Sequence, residues 1–449
     1  MLKTPIDADI VRAQIQKSGL SMVGLASIRE LNRLVNEIER ASGQAFIRME
    51  MGIPGLASPK IAVDAEIEAL RSGVGAKYPP FDGIPALKQE IARLILNFIG
   101  VTVHPKACFP TVGAMQGSFL AIMVTARRLR GKSKILFLDP GFPVNKLQVR
   151  ALGLEYERFD IHDFRAERLG PKLESYLARA EIGALLYSNP NNPSWICLSE
   201  NELKTIGELC QRHDVVALED LAYLGMDFRT DYSQPGTPPF IPSVARYTDK
   251  YILLISASKS FSLAGQRIGM TAISEALFNS SSDNLFDFFG SRHFGDAYLF
   301  GGIYGLSAGV GHSAQFGLTA LLKAVNDGSY NFVAAVREYG ERARTMKRLF
   351  LENGFSLVYE TDDRLPLADG FYFTLAYPGF SGVELVEELL YYGISAISLA
   401  TTGSDRLEGI RACVSLTGSD RFGLLSRRLR QFNCDHRKGM RLIRQSLQK

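Results

Sequence analysis

Tyr251-Ile-Leu-Leu-Ile-Ser256-Ala-Ser-Lys259-Ser-Phe-Ser-Leu-Ala-Gly-Gln-Arg267-Ile-Gly-Met270 is the stretch on which the reading of this chain turns. It opens as an unbroken apolar run, which reads as a strand buried on both faces. A lysine follows directly. At the carboxyl edge of a covered sheet, burial lowers the pKa of a lysine and favours its neutral, nucleophilic amine. Arg267 lies a short way downstream, with hydroxyls between. Lysine, arginine and several hydroxyls at one edge suit a dianionic phosphate.

Working outward, similar apolar runs occur at Lys134–Leu138, Ala184–Ser188, Val215–Glu219 and Gly269–Ile273. Helical periods such as Ile84–Phe98 and Met115–Leu129 alternate with them. Such alternation predicts an α/β fold with a mostly parallel sheet covered by helices. Ligands of these sheets bind beyond the carboxyl ends of the strands. The polar clusters sit there: Asp139-Pro-Gly, Ser188-Asn-Pro, Glu219-Asp220 and Ser256-Ala-Ser-Lys259. After the glycine-rich segment Gly301–Gly317 the pattern changes to helix, then short strands at Phe355–Tyr359, Gly370–Ala376, Ile394–Leu399 and Ile410–Leu416, then a terminal helix. This predicts a smaller α+β domain. Near the N-terminus, Ile28, Leu31, Leu34, Val35 and Ile38 recur at helical spacing before a Gly/Pro-rich break at Met51–Pro59. The expected division is 1–60 joining the small domain, 61–310 as the large domain, and 311–449 as the small C-terminal domain.

The chain has 449 residues, 46% hydrophobic and 22% charged, with a net charge of +4. These values suit a globular protein of two or three domains and argue against disorder. The positive excess gathers at Arg427, Arg428, Arg430, Arg437, Lys438, Arg441 and Arg444. Without aromatic platforms or a reader motif, this run reads as the solvated face of a terminal helix rather than a nucleic-acid site. Five cysteines without a CxxC pair fit a reducing compartment, and the six histidines show no metal-ligand spacing. Neither a signal peptide nor an apolar run of membrane-spanning length is present, so a cytoplasmic protein is expected, with no membrane and no nucleic-acid partner.

Three further segments stand beside the lysine stretch. Tyr187-Ser-Asn-Pro-Asn-Asn-Pro-Ser194 holds a rigid turn by its prolines; it either aims asparagine amides into a cleft or is only a turn. In Ala217-Leu-Glu-Asp220-Leu-Ala-Tyr223, a carboxylate ends an apolar strand and either caps a helix or meets a charged partner. Pro110-Thr-Val-Gly113-Ala-Met-Gln116 places a glycine turn at a helix start, where free backbone N–H groups can receive an anion.

Taken together, from about Gly52 to Arg411, these segments resemble the class I/II aminotransferases, the fold type I pyridoxal-phosphate enzymes. The resemblance implies that Lys259 holds pyridoxal 5′-phosphate as a Schiff base and that Asp220 pairs with the pyridine nitrogen. It implies that Tyr223 and Asn192 bond the phenolic oxygen. Ser256, Ser258, Arg267 and the Gly113–Ala114–Met115 turn would hold the phosphate, Phe142 would stack on the ring, and Tyr78 would reach the phosphate of a neighbouring subunit. Arg411 would clamp the substrate carboxylate, with Asn192 beside it and Gly52 lining the substrate mouth. The sequence departs from the family pattern where Asn192-Pro-Ser194-Trp195 replaces Asn-Pro-Thr-Gly, and at Asn145, where many relatives carry an aromatic residue.

The cofactor is an electron sink that the protein orients and tunes. The expected function is an aminotransferase moving an amino group between an α-amino acid and a 2-oxo acid, acting as a homodimer with shared sites. The alternatives are a lyase on the same fold, cleaving carbon–sulfur bonds or decarboxylating, and a ligand-sensing module without catalysis. Against the last, only about fifty residues precede Gly52, short for a DNA-binding domain with its linker. Arg292 and His293 are candidates for meeting a substrate side chain, with a plain surface loop as the alternative.

Overall fold

The computed structural model describes residues 3–437. Two units emerge. The larger comprises Leu56–Asn191 and Cys197–Arg337; the smaller comprises Met1–Gly55, Asn192–Ile196 and Glu338–Lys449.

The larger unit is built on a seven-stranded sheet. Its strands are β1 (Cys108–Thr111), β2 (Lys134–Asp139), β3 (Tyr156–Asp160), β4 (Ile182–Ser188), β5 (Val216–Leu221), β6 (Tyr251–Ser256) and β7 (Gly269–Ile273). Their spatial order is β1-β7-β6-β5-β4-β2-β3. Only β7 runs against its neighbours. β4, β6 and β7 are buried along their whole length, as strands covered on both faces must be. One face packs on the helix Gly113–Thr125 through Leu120, Ala121 and Val124 against Val216, Ile252 and Leu254. β1 and β3 escaped the sequence reading, because β1 is short and contains a proline and β3 carries Glu157 and Arg158.

The smaller unit holds a four-stranded antiparallel sheet of β8 (Ser356–Leu357), β9 (Tyr372–Ala376), β10 (Ile397–Ser398) and β11 (Ile410–Cys413), in the order β10-β11-β9-β8. The single strand expected at Ile394–Leu399 is split. Ile394–Ser395 pairs in parallel with Ile47–Arg48, whereas β10 pairs with β11. The N-terminal helices Ala8–Ser18 and Ile28–Ser42 belong to this unit.

Two expectations are corrected. Residues 311–337 fall in the larger unit, because the helix His312–Asn326 packs on the helices Lys60–Arg71 and Pro85–Ile99. The basic run is not simply a solvated face. Arg428, on the helix Phe422–His436, is buried and donates to the carbonyls of Gly393 and Ala45, both at 2.7 Å. Burial, with Arg421 and Arg427 nearby, pushes its guanidinium pKa down to about 10. Lys438, Arg441 and Arg444 lie outside the described residues. Among the described residues, no helix is long and apolar enough to cross a membrane.

Candidate active site

In the larger unit, β4, β5 and β6 lie side by side with Ser188 opposite Asp220 and Asp220 opposite Leu254. That register brings the carboxyl ends of three strands level. Lys259 follows β6 by three residues and is half-buried. Asp220 is half-buried too, and its Oδ1 accepts from the Ala222 N–H at 3.0 Å. It closes a turn and does not cap a helix, since no helix follows β5. Burial raises the Asp220 carboxyl to about 7, against the opposing effects of the Ala222 N–H and the charge of Lys259. Tyr223 is buried just beyond it.

A second set of residues meets where β6 and β1 end and β7 begins. Ser256 pairs with Gly269, and Gly269 with Thr111. A β-carbon built on Gly269 would lie 2.7 Å from the Ala114 nitrogen, so glycine there lets the turn come close. Gly113 has φ +66°, and a β-carbon on it would lie 2.7 Å from Arg267 Nη2. Thus the glycine turn and the arginine head are in contact. The Val112 N–H is taken by Gln116 Oε1 at 2.8 Å. The next amides, of Gly113, Ala114 and Met115, start the helix and have no partner within it. Ser256 Oγ accepts from the Ser258 N–H at 3.1 Å, and both serines are buried. Arg267 is exposed and donates to the Ala264 carbonyl at 2.9 Å.

Phe142 and Asp220 line one cleft, with Asp139, Asn145, Lys146 and Ser188. Sequence reasoning did not assign Asp139 or Lys146. Asp139 is fully buried at the end of β2 and pairs with Lys146 at 2.6 Å. Burial raises its carboxyl to about 6, with Lys146 and Arg158 opposing the rise. Asn145 is buried and donates to Gln148 Oε1 at 3.2 Å, while Gln148 Nε2 donates to the Met115 carbonyl at 2.9 Å. Asn145 therefore orients Gln148, which ties their helix to the glycine turn. Glu219, next to Asp220, is buried and accepts from the Tyr187 hydroxyl at 3.2 Å and from the Ser243 hydroxyl.

The smaller unit gathers Arg411, Asn192 and Gly52. Arg411 is 1% exposed; its Nη1 donates to Asn192 Oδ1 at 3.3 Å and its Nη2 to the Glu50 carbonyl at 2.6 Å. Its guanidinium carbon stands 4.5 Å from the centre of the Tyr372 ring. A β-carbon on Gly52 would lie 1.9 Å from the Tyr372 hydroxyl oxygen. Trp195 takes φ +65°, so the loop keeps a backbone shape that glycine adopts without strain. Trp195 stood out in the sequence only as a departure from the family pattern, and Tyr372 was not assigned.

The remaining candidates, Tyr78, Arg292 and His293, are exposed. Tyr78 is 94% exposed. Arg292 is exposed, pairs with Asp283 at 2.6 Å and lies over the Phe286 ring, as a surface loop would have it. Among the described residues no group of histidine, cysteine and acidic side chains could hold a metal ion.

Residues 46–293 match the family described as Aminotransferase class I and II, and the chain belongs to that family. Members of the family use pyridoxal phosphate. Among curated relatives, the LL-diaminopimelate aminotransferase of Natranaerobius thermophilus is 26% identical over 55% of this chain and 62% of its own length. The aspartate aminotransferase of Geobacillus stearothermophilus is 25% identical over 54% of this chain and 60% of its own. The matched part thus spans about three fifths of those relatives. The solved aspartate aminotransferase of Thermotoga maritima superimposes with a TM-score of 0.72 at 18% identity, covering 93% of this chain and 98% of that one. The fold is therefore that of the fold type I aminotransferases.

The residues present fit the cofactor. At the Gly113 turn a β-carbon would collide with Arg267, the helix-start amides have no partner within the helix, and Ser256 ends the strand paired with Gly269; such donors suit a phosphate dianion.

Proposed function

We propose that this chain is a pyridoxal-phosphate-dependent aminotransferase that moves an amino group between an α-amino acid and a 2-oxo acid. The observation that carries this is the placing of Lys259 and Asp220 at adjacent strand ends, in the sheet whose neighbouring strands bring Arg267 to the Gly113 turn. When bound, the cofactor supplies an electron sink for the pair left when the substrate Cα–H bond breaks. The protein does the rest. Arg267, Ser256, Ser258 and the Gly113–Ala114–Met115 amides hold the phosphate. Phe142 offers a flat apolar face. Asp220 sits where a cationic ring nitrogen would hold its carboxylate ionised, reversing the upward shift that burial causes. Tyr223 and Asn192 offer hydrogen bonds to the phenolic oxygen. The Lys259 Nζ anchors the cofactor and then carries a proton to and from Cα. Arg411 and Asn192 grip the substrate carboxylate and so fix which Cα bond breaks, with Gly52 beside them.

A homodimer is part of this reading. Tyr78, Phe300, Tyr304 and Leu306 leave large apolar side chains exposed in the larger unit, and Phe81 joins Phe300 and Tyr304 at ring-centre distances of 5.2 and 5.5 Å. A cytoplasmic location is supported by five free cysteines.

The test begins with the absorption spectrum of the purified protein. A visible band of lysine-bound cofactor is expected, and borohydride reduction with peptide mapping should label Lys259. Lys259→Ala should lose the band and at least ~10³-fold in turnover. A label on another lysine overturns the assignment. Mixing with an amino acid alone should release one equivalent of 2-oxo acid; continuous release of ammonia, thiol or carbon dioxide would make the chain a lyase.

A further inference from the structure

We propose that Trp195 is a positioning residue for the carboxylate clamp: its indole holds Tyr372, and Tyr372 holds the plane of the Arg411 guanidinium. This rests on the reading of Arg411 as the clamp.

Trp195 has φ +65°, a left-handed conformation disfavoured for a residue with a side chain. Strain of this kind persists where the surroundings over-determine it. Here the surroundings are specific. The indole is 0% exposed, and a β-carbon built on Gly370 would stand 2.0 Å from its Cε2 and 2.2 Å from its Nε1. Residue 370 must therefore be glycine for the indole to lie where it does. From there Trp195 meets the Tyr372 ring edge-to-face, at 6.2 Å and 70°.

Tyr372 passes the constraint on. On the antiparallel pair β9–β11, Tyr372 is opposite Cys413 and Arg411 is opposite Thr374. Tyr372 and Arg411 are thus diagonal neighbours on one face, close enough for a ring to support a guanidinium. The guanidinium carbon is 4.5 Å from the ring centre. The tyrosine hydroxyl is stopped on another side by Gly52, whose β-carbon would fall 1.9 Å from it. The ring thus lies against the Arg411 guanidinium, whose two terminal nitrogens are held by Asn192 Oδ1 and the Glu50 carbonyl. Its buried Nε has no hydrogen-bond partner. A bidentate grip on a carboxylate requires this control of the guanidinium plane. Amino acid and 2-oxo acid share the carboxylate, so Trp195 affects both substrates alike.

The test uses the holoenzyme, with pyruvate as the carboxylate probe and methylamine as a carboxylate-free probe of the Lys259 site. Trp195→Gly should weaken pyruvate binding about tenfold by calorimetry. Trp195→Phe should restore most of it, and Tyr372→Leu should reproduce the loss. Reaction with methylamine should stay at the wild-type level in all three. KM for both substrates should rise together, with kcat changed less. If Trp195→Gly does not fold, Trp195→Phe and Tyr372→Leu still decide, with Tyr372→Leu expected to be the weaker binder. Parallel losses for pyruvate and methylamine would mean general damage and overturn the proposal. Wild-type pyruvate affinity in a folded Trp195→Gly and Tyr372→Leu overturns it as well. If Arg411→Ala leaves pyruvate binding unchanged, the clamp itself falls, and this inference with it.

Discussion

At residue scale, Asp220 and Gly113 make separable predictions. Burial raises the Asp220 carboxyl from 3.8 to about 7 in the cofactor-free chain. The folded chain then binds the proton more tightly than the unfolded one. That contribution to stability is full below about pH 4 and is lost as pH rises through about 7. Asp220→Asn removes the ionisation. Thermal melts of the cofactor-free variant should therefore match the parent near pH 4 and exceed it by about 3 °C at pH 8. Gly113→Ala puts a β-carbon 2.7 Å from Arg267 Nη2 at a φ of +66°. Binding of pyridoxal phosphate should weaken about tenfold, with unphosphorylated pyridoxal little changed; equal losses for the two would deny the turn its phosphate role. Lys259, Asp220 and the glycine turn were legible because a charge at the end of a buried strand must meet a partner or a ligand, and a glycine there frees the backbone for close approach. Asp139 and Lys146 were not. Their pairing depends on where the helix Pro143–Ala151 folds back, which the linear pattern does not show.

At element scale, the two sheets differ in how far local pattern reaches. Strands of the larger sheet are long, apolar and separated by helices, so period and length locate them. The segment Ile394–Leu399 is apolar throughout, and nothing in its composition says that Ile394–Ser395 pairs with Ile47–Arg48 while Ile397–Ser398 pairs with β11. Partner choice there is a long-range decision. The same holds for Arg428, which reads as one cation among several and is buried against two carbonyls. Arg428→Met keeps the stem and strips the donors from those carbonyls. It should cost about 2 kcal/mol in urea denaturation, whereas the exposed Arg430→Met should cost under about 0.5 kcal/mol.

At the scale of the whole molecule, the exposed apolar patch bears on assembly. On the proposed homodimer reading, sedimentation should show the parent as a dimer and Phe300→Asp with Tyr304→Asp as a monomer, with loss of turnover; a monomeric parent overturns the reading, and a double variant that stays dimeric would place the interface elsewhere. The division into units was only partly legible. Residues 311–337 side with the larger unit through a packing choice that no local signal announces. Nor does composition mark Asn192–Ile196 as belonging to the smaller unit. That brief excursion matters for biosynthesis. Arg411 finds Asn192 across 219 positions of chain, whereas every residue proposed to hold the phosphate lies between Gly113 and Gly269. Translation proceeds from the N-terminus, and domains fold as units while it does so. A ribosome thus makes all the residues proposed to hold the cofactor phosphate well before it makes the strand Ile410–Cys413. On the proposed assignments, a nascent chain acquires the residues for holding the cofactor before the arginine for gripping a carboxylate.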